Sequence, residues 1–186
     1  MPKPIFGIAG SGMHCDMSLS KDGENIFFDP NGEFMLSETA RSFVAGLLKH
    51  AKGFTPITNP LVNSYKRLVS GFEAPVYIAW STANRSVLVR IPAARGASTR
   101  VELRNPDPSC NPYMAFAAII ASGMDGVNNS LKPPSPCNRN LYHMTDDERA
   151  CEGIENLPGS LKDALLEMDA DPVVREALGE FIYTKY

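Results

Sequence analysis

Five arginines and one acid crowd into a single stretch, NRSVLVRIPAARGASTRVELR, from Asn84 to Arg104. Arg85, Arg90, Arg95, Arg100 and Arg104 against Glu102 give a local charge of +4 in a chain of net charge −3. Arginine stays protonated and presents a planar fork of donors that matches carboxylate and phosphate oxygens. Strand alternation puts Arg100, Glu102 and Arg104 on one face, with Val101 and Leu103 on the other. Arg90 lies opposite Val87 and Val89. Such a face can bind an anionic ligand, or its Arg and Glu side chains can simply pair across strands in water.

Two further segments bear on that choice. In GSGMHCDMS, residues 10–18, His14, Asp16 and Ser18 share one strand face behind a glycine-rich lead. Gly10 and Gly12 either let the backbone approach something closely or mark a bulge. In NSYKRLVSGFEAP, residues 63–75, charge and aromatics mix in a loop with a Gly hinge, a composition found in covers over active sites as well as in plain solvated turns.

The elements that must position these residues follow from periodicity. A hairpin is expected over residues 4–29, with its turn at Lys21-Asp22-Gly23 and its return strand at Ile26-Phe27-Phe28. Ser37 caps a helix reaching about Lys52. Residues 63–69 form a short helical turn. Strands are expected over 74–80, 87–92 and 99–104, with a loop at 93–98 in which Arg95 is a solvated residue. A helix over residues 113 to about 127 is apolar almost all round, which predicts burial. Three prolines make residues 128–138 a surface loop. Thr145 caps a short acidic helix, and two more helices span 158–169 and 172–185, split at Asp171-Pro172.

Bulk properties narrow the class. A chain of 186 residues, 44% hydrophobic and 21% charged, suits one domain with a real core, and the strands and helices read above make it α+β. Its mild acidity argues against a nucleic-acid partner. No apolar run reaches the ~20 residues of a membrane span, and no secretory leader is visible. Cys15, Cys110, Cys137 and Cys151 form no C-x-x-C pair. They read as free thiols of a reducing, cytoplasmic compartment.

The words GSGMHCDMSL, NSYKRLVSGFEAP, NRSVLVRIP, STRVELRNPDPSCNPYMAFAAIIASGMDG and NRNLY, in this order over nearly the whole chain, resemble bacterial class I glutamine synthetase, and the short Gram-positive subtype in particular. The resemblance implies a curved antiparallel sheet backed by helices, with residues 1–186 forming part of a catalytic domain. It implies an ATP-dependent ligase that joins glutamate and ammonia through γ-glutamyl phosphate, in a homododecamer of two hexameric rings with possible nitrogen-regulatory protein partners.

By position, the resemblance makes His14 and Glu102 ligands of Mg²⁺ or Mn²⁺. Arg67 and Arg104, with the Gly10 backbone, would hold glutamate. Arg85 and Arg90 would stabilise the transferring phosphoryl group. Asp16, Ser18 and Arg100 fall at ATP-contacting positions, together with Arg85 and Arg90. Glu73 would shield the intermediate and take a proton from ammonium.

Three positions depart from the family pattern. They are Ala9 where Asn is common, Asp16 where His or Asn is common, and Ser70 where proline is usual. Asp16 is expected to repel phosphate unless a cation intervenes. Tyr142 falls where some class I enzymes are adenylylated, and no modification is expected in this subtype. Met-Pro-Lys-Pro is internal in the full enzyme, and its other metal ligands lie upstream. The chain is therefore expected to be an inactive piece of the catalytic domain. Two alternatives remain: a γ-glutamyl-amine or polyamine ligase of the same family, and a non-catalytic structural or regulatory homologue.

Overall fold

The computed structural model describes residues 1–72 and 74–186. A five-stranded sheet runs β1 (Cys15–Met17), β6 (Val101–Leu103), β5 (Val87–Arg90), β4 (Tyr77–Ser81), β7 (Glu155–Asn156) from edge to edge. All neighbours are antiparallel except β4 and β5, which run parallel. Parallel neighbours ordinarily need a crossover of a dozen or more residues. Here residues 82–86 suffice, because Asn84 ties the return. Its Oδ1 accepts from Ser86 N and Oγ at 2.8 and 2.7 Å, and its Nδ2 donates to the Cys137 and Arg139 carbonyls.

The predicted first hairpin is corrected in extent. Its turn stands where expected, and Asp22 and Gly23 (φ 53° and 84°) form the primed turn that twisted strands favour. The paired strands are only β2 (Ser20–Lys21) and β3 (Glu24–Asn25). Ile26 to Phe28 is not the return strand, because Phe27 is drawn fully into the core beside Phe43, ring centroids 5.3 Å apart. β1 instead pairs with β6, with Asp16 opposite Glu102.

Helices back the sheet. Ser37 caps α1 (Glu38–Lys49), its side chain accepting from Ala40 N at 3.1 Å. The chain breaks at His50 and restarts as α2 (Ala51–Thr58), short of the single helix to Lys52 that periodicity suggested. α3 (Val62–Arg67) leads toward the second candidate loop. α4 (Pro112–Asn128) begins with proline at its first position behind an Asn111 cap. It crosses α1 where Gly46 meets Gly126, so closely that a Cβ on Gly126 would lie 2.6 Å from Gly46 N. One face of α4 packs inward through Ala115, Ala118 and Ile119. The other leaves Tyr113, Phe116 and Ile120 exposed at 86%, 46% and 53%. The expectation of all-round burial therefore fails.

α5 (Asp146–Cys151) carries the predicted Thr145 cap, closed into a box by Glu148. α6 (Leu161–Ala170) starts at its Ser160 cap, three residues later than expected, and α7 (Pro172–Tyr183) is broken at Gly179, φ +72°. The largest fully buried side chains, among them Trp80, Phe43, Phe54, Leu103 and Ile119, join sheet and helices in one core. His50 joins the helices with charge. Its Nδ1 lies 2.7 Å from Asp171 and its Nε2 2.9 Å from Asp125, which also takes Lys49 Nζ at 2.8 Å. The four cysteines are free, as read from their spacing. No helix is long and apolar enough, among the described residues, to cross a membrane.

Candidate active site

The pairing of β1 with β6 and of β6 with β5 assembles the charged face. Asp16 stands opposite Glu102, and Glu102 opposite Arg90. Alternation holds along β1: Cys15 is buried while His14, Asp16 and Ser18 are exposed. Cys15 is thus removed from the chemistry, its thiol pushed up to about 11 by burial and by the neighbouring Asp16 charge.

Glu102 is the centre of the row and is 6% exposed. One of its oxygens lies 3.1 Å from His14 Nδ1. The other accepts from Arg90 Nε and lies 3.8 Å from Arg104 Nε. Burial lowers the His14 pKa, the Arg104 charge lowers it further, and Glu102 pulls the other way with smaller effect. The imidazole is therefore biased toward its neutral form, which has a lone pair to offer. Imidazole and carboxylate side by side fit two positions of a hard divalent cation. Among the described residues no third His, Cys, Asp or Glu joins them.

The Asp16 departure is resolved locally. Arg100 Nε donates to Asp16 Oδ1 at 2.8 Å, so a cation neutralises the carboxylate. Both side chains remain partly exposed, at 38% and 48%, and can rearrange for a ligand.

The arginines beyond the row divide into two groups. Arg67, 4% exposed, passes under the glycine-rich segment. A Cβ on Gly12 would lie 2.5 Å from Arg67 Nη2, and one on Gly10 would run into the Pro2 carbonyl. The close approach allowed by these glycines is therefore to Arg67 and to the chain's own start. Arg67 donates to the carbonyls of Asn105 and Arg104 at 2.6 and 3.3 Å. Arg104 donates through Nη1 to the Arg85 carbonyl. Arg85 and Arg104 line a cleft of ≈ 500 Å³ together with Gly71, Asn140 and Tyr142. Gly71, φ +90°, turns the loop at its rim.

Arg95 is not the solvated residue expected. Its guanidinium donates to the Phe34 carbonyl at 2.9 Å and to the Pro92 and Ala94 carbonyls, so it ties two loops. Ser18 is exposed at the end of the β1 face. Glu73 lies outside the described residues.

Sequence reasoning did not single out Asn59, Asn105 and Asp107, which lie buried beneath Arg67. Their signal was an Asn-Pro step after α2 and an Asn-Pro-Asp-Pro step after β6, read only as breakers.

Glu102 between Arg90 and Arg104, His14 beside it, and Arg85 with Arg104 at a cleft give this α+β fold a cationic face that can take an anionic ligand. The class can be named more closely. Residues 1–186 match the family model described as glutamine synthetase, catalytic domain, and the chain belongs to that family. It is 60% identical over 186 residues to the glutamine synthetase of Thermus thermophilus, 58% to that of Staphylococcus aureus MRSA252 and 56% to that of Thermotoga maritima. Each match covers 100% of this chain and 42% of the relative, so the chain spans well under half the length of these proteins. A solved GmaS/ADP complex is similar with TM-score 0.87 at 39% identity, over 100% of this chain and 43% of that one.

Proposed function

We propose that the chain is part of a glutamate–ammonia ligase that makes glutamine from glutamate, ammonia and ATP. The observation that carries this reading is the His14–Glu102–Arg90 row beside the Arg85–Arg104 cleft. In the reaction, a γ-carboxylate oxygen of glutamate attacks the terminal phosphorus of ATP and ADP leaves. Ammonia then attacks the acyl carbon of γ-glutamyl phosphate and inorganic phosphate leaves.

His14 and Glu102 supply two donors to Mg²⁺ or Mn²⁺. Bound there, the cation would neutralise phosphate charge. Arg90 holds Glu102 and, with Arg85, faces the transferring phosphoryl group, where fixed donors lower the barrier most. Arg67 and Arg104 orient the glutamate carboxylate next to the Gly10 backbone. Arg100 and Ser18 contact the nucleotide, with Asp16 setting the Arg100 guanidinium. Glu73 shields the acyl phosphate and accepts a proton from ammonium. The ring assembly of the full-length protein is proposed with it, and light scattering of that protein tests it.

The experiment is phosphate release by the full-length protein, dependent on glutamate, ATP and ammonia together. Glu102→Gln is expected to reduce kcat/KM by about 100-fold or more, in line with losing a group that contacts the transition state. Full turnover by that variant would refute the assignment. Turnover with larger amines but not with ammonia would favour the γ-glutamyl-amine reading. With two cation donors among the described residues, the 186-residue chain alone is expected to be inactive, and robust γ-glutamyl transfer by it would contradict that.

A further inference from the structure

Below the arginine pair lies a polar network that the roles above leave unused. Thr58, Asn59, Asn105 and Asp107 are each 0% exposed. Polar groups buried this deeply are costly unless hydrogen-bonded. Asn59 Nδ2 donates to Asp107 Oδ2 at 3.0 Å and to the Asn105 carbonyl at 2.8 Å. Asn105 Nδ2 donates to Thr58 Oγ1 at 2.9 Å and to Asn59 Oδ1 at 3.0 Å. Asp107 N donates to the Thr58 carbonyl at 3.1 Å, and Asp107 Oδ1 accepts from Ser109 N at 3.0 Å. The network joins the end of α2 to the main chain that leaves β6.

That main chain also aims Arg67. The Asn105 carbonyl that takes Asn59 Nδ2 takes Arg67 Nη1 at 2.6 Å as well, and the Arg104 carbonyl takes Arg67 Nη2 at 3.3 Å. One amide therefore sets the carbonyl on which the Arg67 fork rests, one residue from the Cα that carries the Arg104 side chain. We infer that Asn59 and Asp107 are positioning residues for the arginine pair that holds the glutamate carboxylate. The inference rests on the carboxylate-binding reading of Arg67 and Arg104. An amide is needed at position 59, since one nitrogen must donate to two acceptors while its oxygen accepts from Asn105. Aspartate there would donate nothing and would set two carboxylates about 3 Å apart.

The test uses the full-length protein and reads KM for glutamate and for ATP separately. Asn59→Asp is expected to raise the glutamate KM by about 10-fold, with the ATP KM within about twofold of wild type. The double variant Asn59→Asp/Asp107→Asn restores the 59–107 bond with its direction reversed, and leaves the Asn105 carbonyl with Arg67 as its one remaining donor. It should bring the glutamate KM back to within about threefold. Thr58→Val, nearly isosteric and uncharged, removes the acceptor of Asn105 Nδ2 and should raise the glutamate KM about threefold even if Asn59→Asp does not fold. A scaffold role alone would move both KM values together in the variants that fold. The inference is overturned by that result, by an unchanged glutamate KM in Thr58→Val, or by a folded double variant no better than Asn59→Asp. Wild-type protein without glutamate-dependent turnover would remove the ligase reading itself, and this inference with it.

Discussion

Replacing His50 with leucine should loosen the helical layer, and the structure sets the size of the effect. The imidazole is 5% exposed and bridges two carboxylates, Asp171 at 2.7 Å and Asp125 at 2.9 Å, themselves only 13% and 15% exposed. Two charge-assisted bonds of about 1.5–3 kcal/mol each are lost. Two features offset part of this. Lys49 stays on Asp125 at 2.8 Å, and Asp171 keeps its bonds to Val173 N and Val174 N at the head of α7. A net loss of about 2–4 kcal/mol is expected. At about 2–4 °C per kcal/mol for a chain of this size, melting should fall by roughly 5–15 °C.

The pH dependence supplies a second reading of the same residue. Burial alone would lower the His50 pKa, but its hydrogen bonds to Asp171 and Asp125 and the charges of these carboxylates outweigh it and raise the value. A raised histidine pKa stabilises the fold fully below the ordinary histidine range, and that stabilisation is lost as pH rises through the raised value. Lys49, Lys52, Glu155 and Glu167 line the adjoining cleft. Circular-dichroism melts of wild type and His50→Leu from about pH 6 to pH 9 should therefore converge as pH rises. Equal melting temperatures at pH 6, or parallel pH profiles, would refute the reasoning.

Two other outcomes are expected. Gly126→Ala pushes a Cβ into Gly46 and the Ser42 carbonyl, and should cost about 1–3 kcal/mol in urea unfolding because both obstacles are helix backbone. Asp16→Ala removes the carboxylate that sets Arg100 in a partly exposed pair, so stability should change by less than about 1 kcal/mol while the ATP KM of the full-length protein rises.

Local chemistry made part of this fold legible in the sequence. The caps Ser37 and Thr145 bond the first turns behind them, and the β1 face follows its alternation. Features set by distant partners were not legible. Periodicity cannot say that β1 pairs with β6 and not with residues 26–28, because Phe27 is claimed by Phe43. It cannot separate α1 from α2 at His50, whose partners lie 75 and 121 residues away. The arginine roles were legible only through the family resemblance. The asparagines beneath Arg67 were missed because buried amides leave no periodic signature.

The pairing of β1 with β6 also bears on how the protein is made. His14 and Glu102 touch across 88 residues of chain. At about 5–20 residues per second, roughly 4–18 s separate the synthesis of the two strands. During that interval β1 lacks its β6 ladder partner, and Cys15 and Met17 are without their contacts to it. The β2–β3 hairpin, closed by its own turn, can form at once and hold the following chain close by. Conditions that prolong the interval, such as slow codons between the two strands, should therefore raise aggregation in the nascent chain without altering the stability of the finished one.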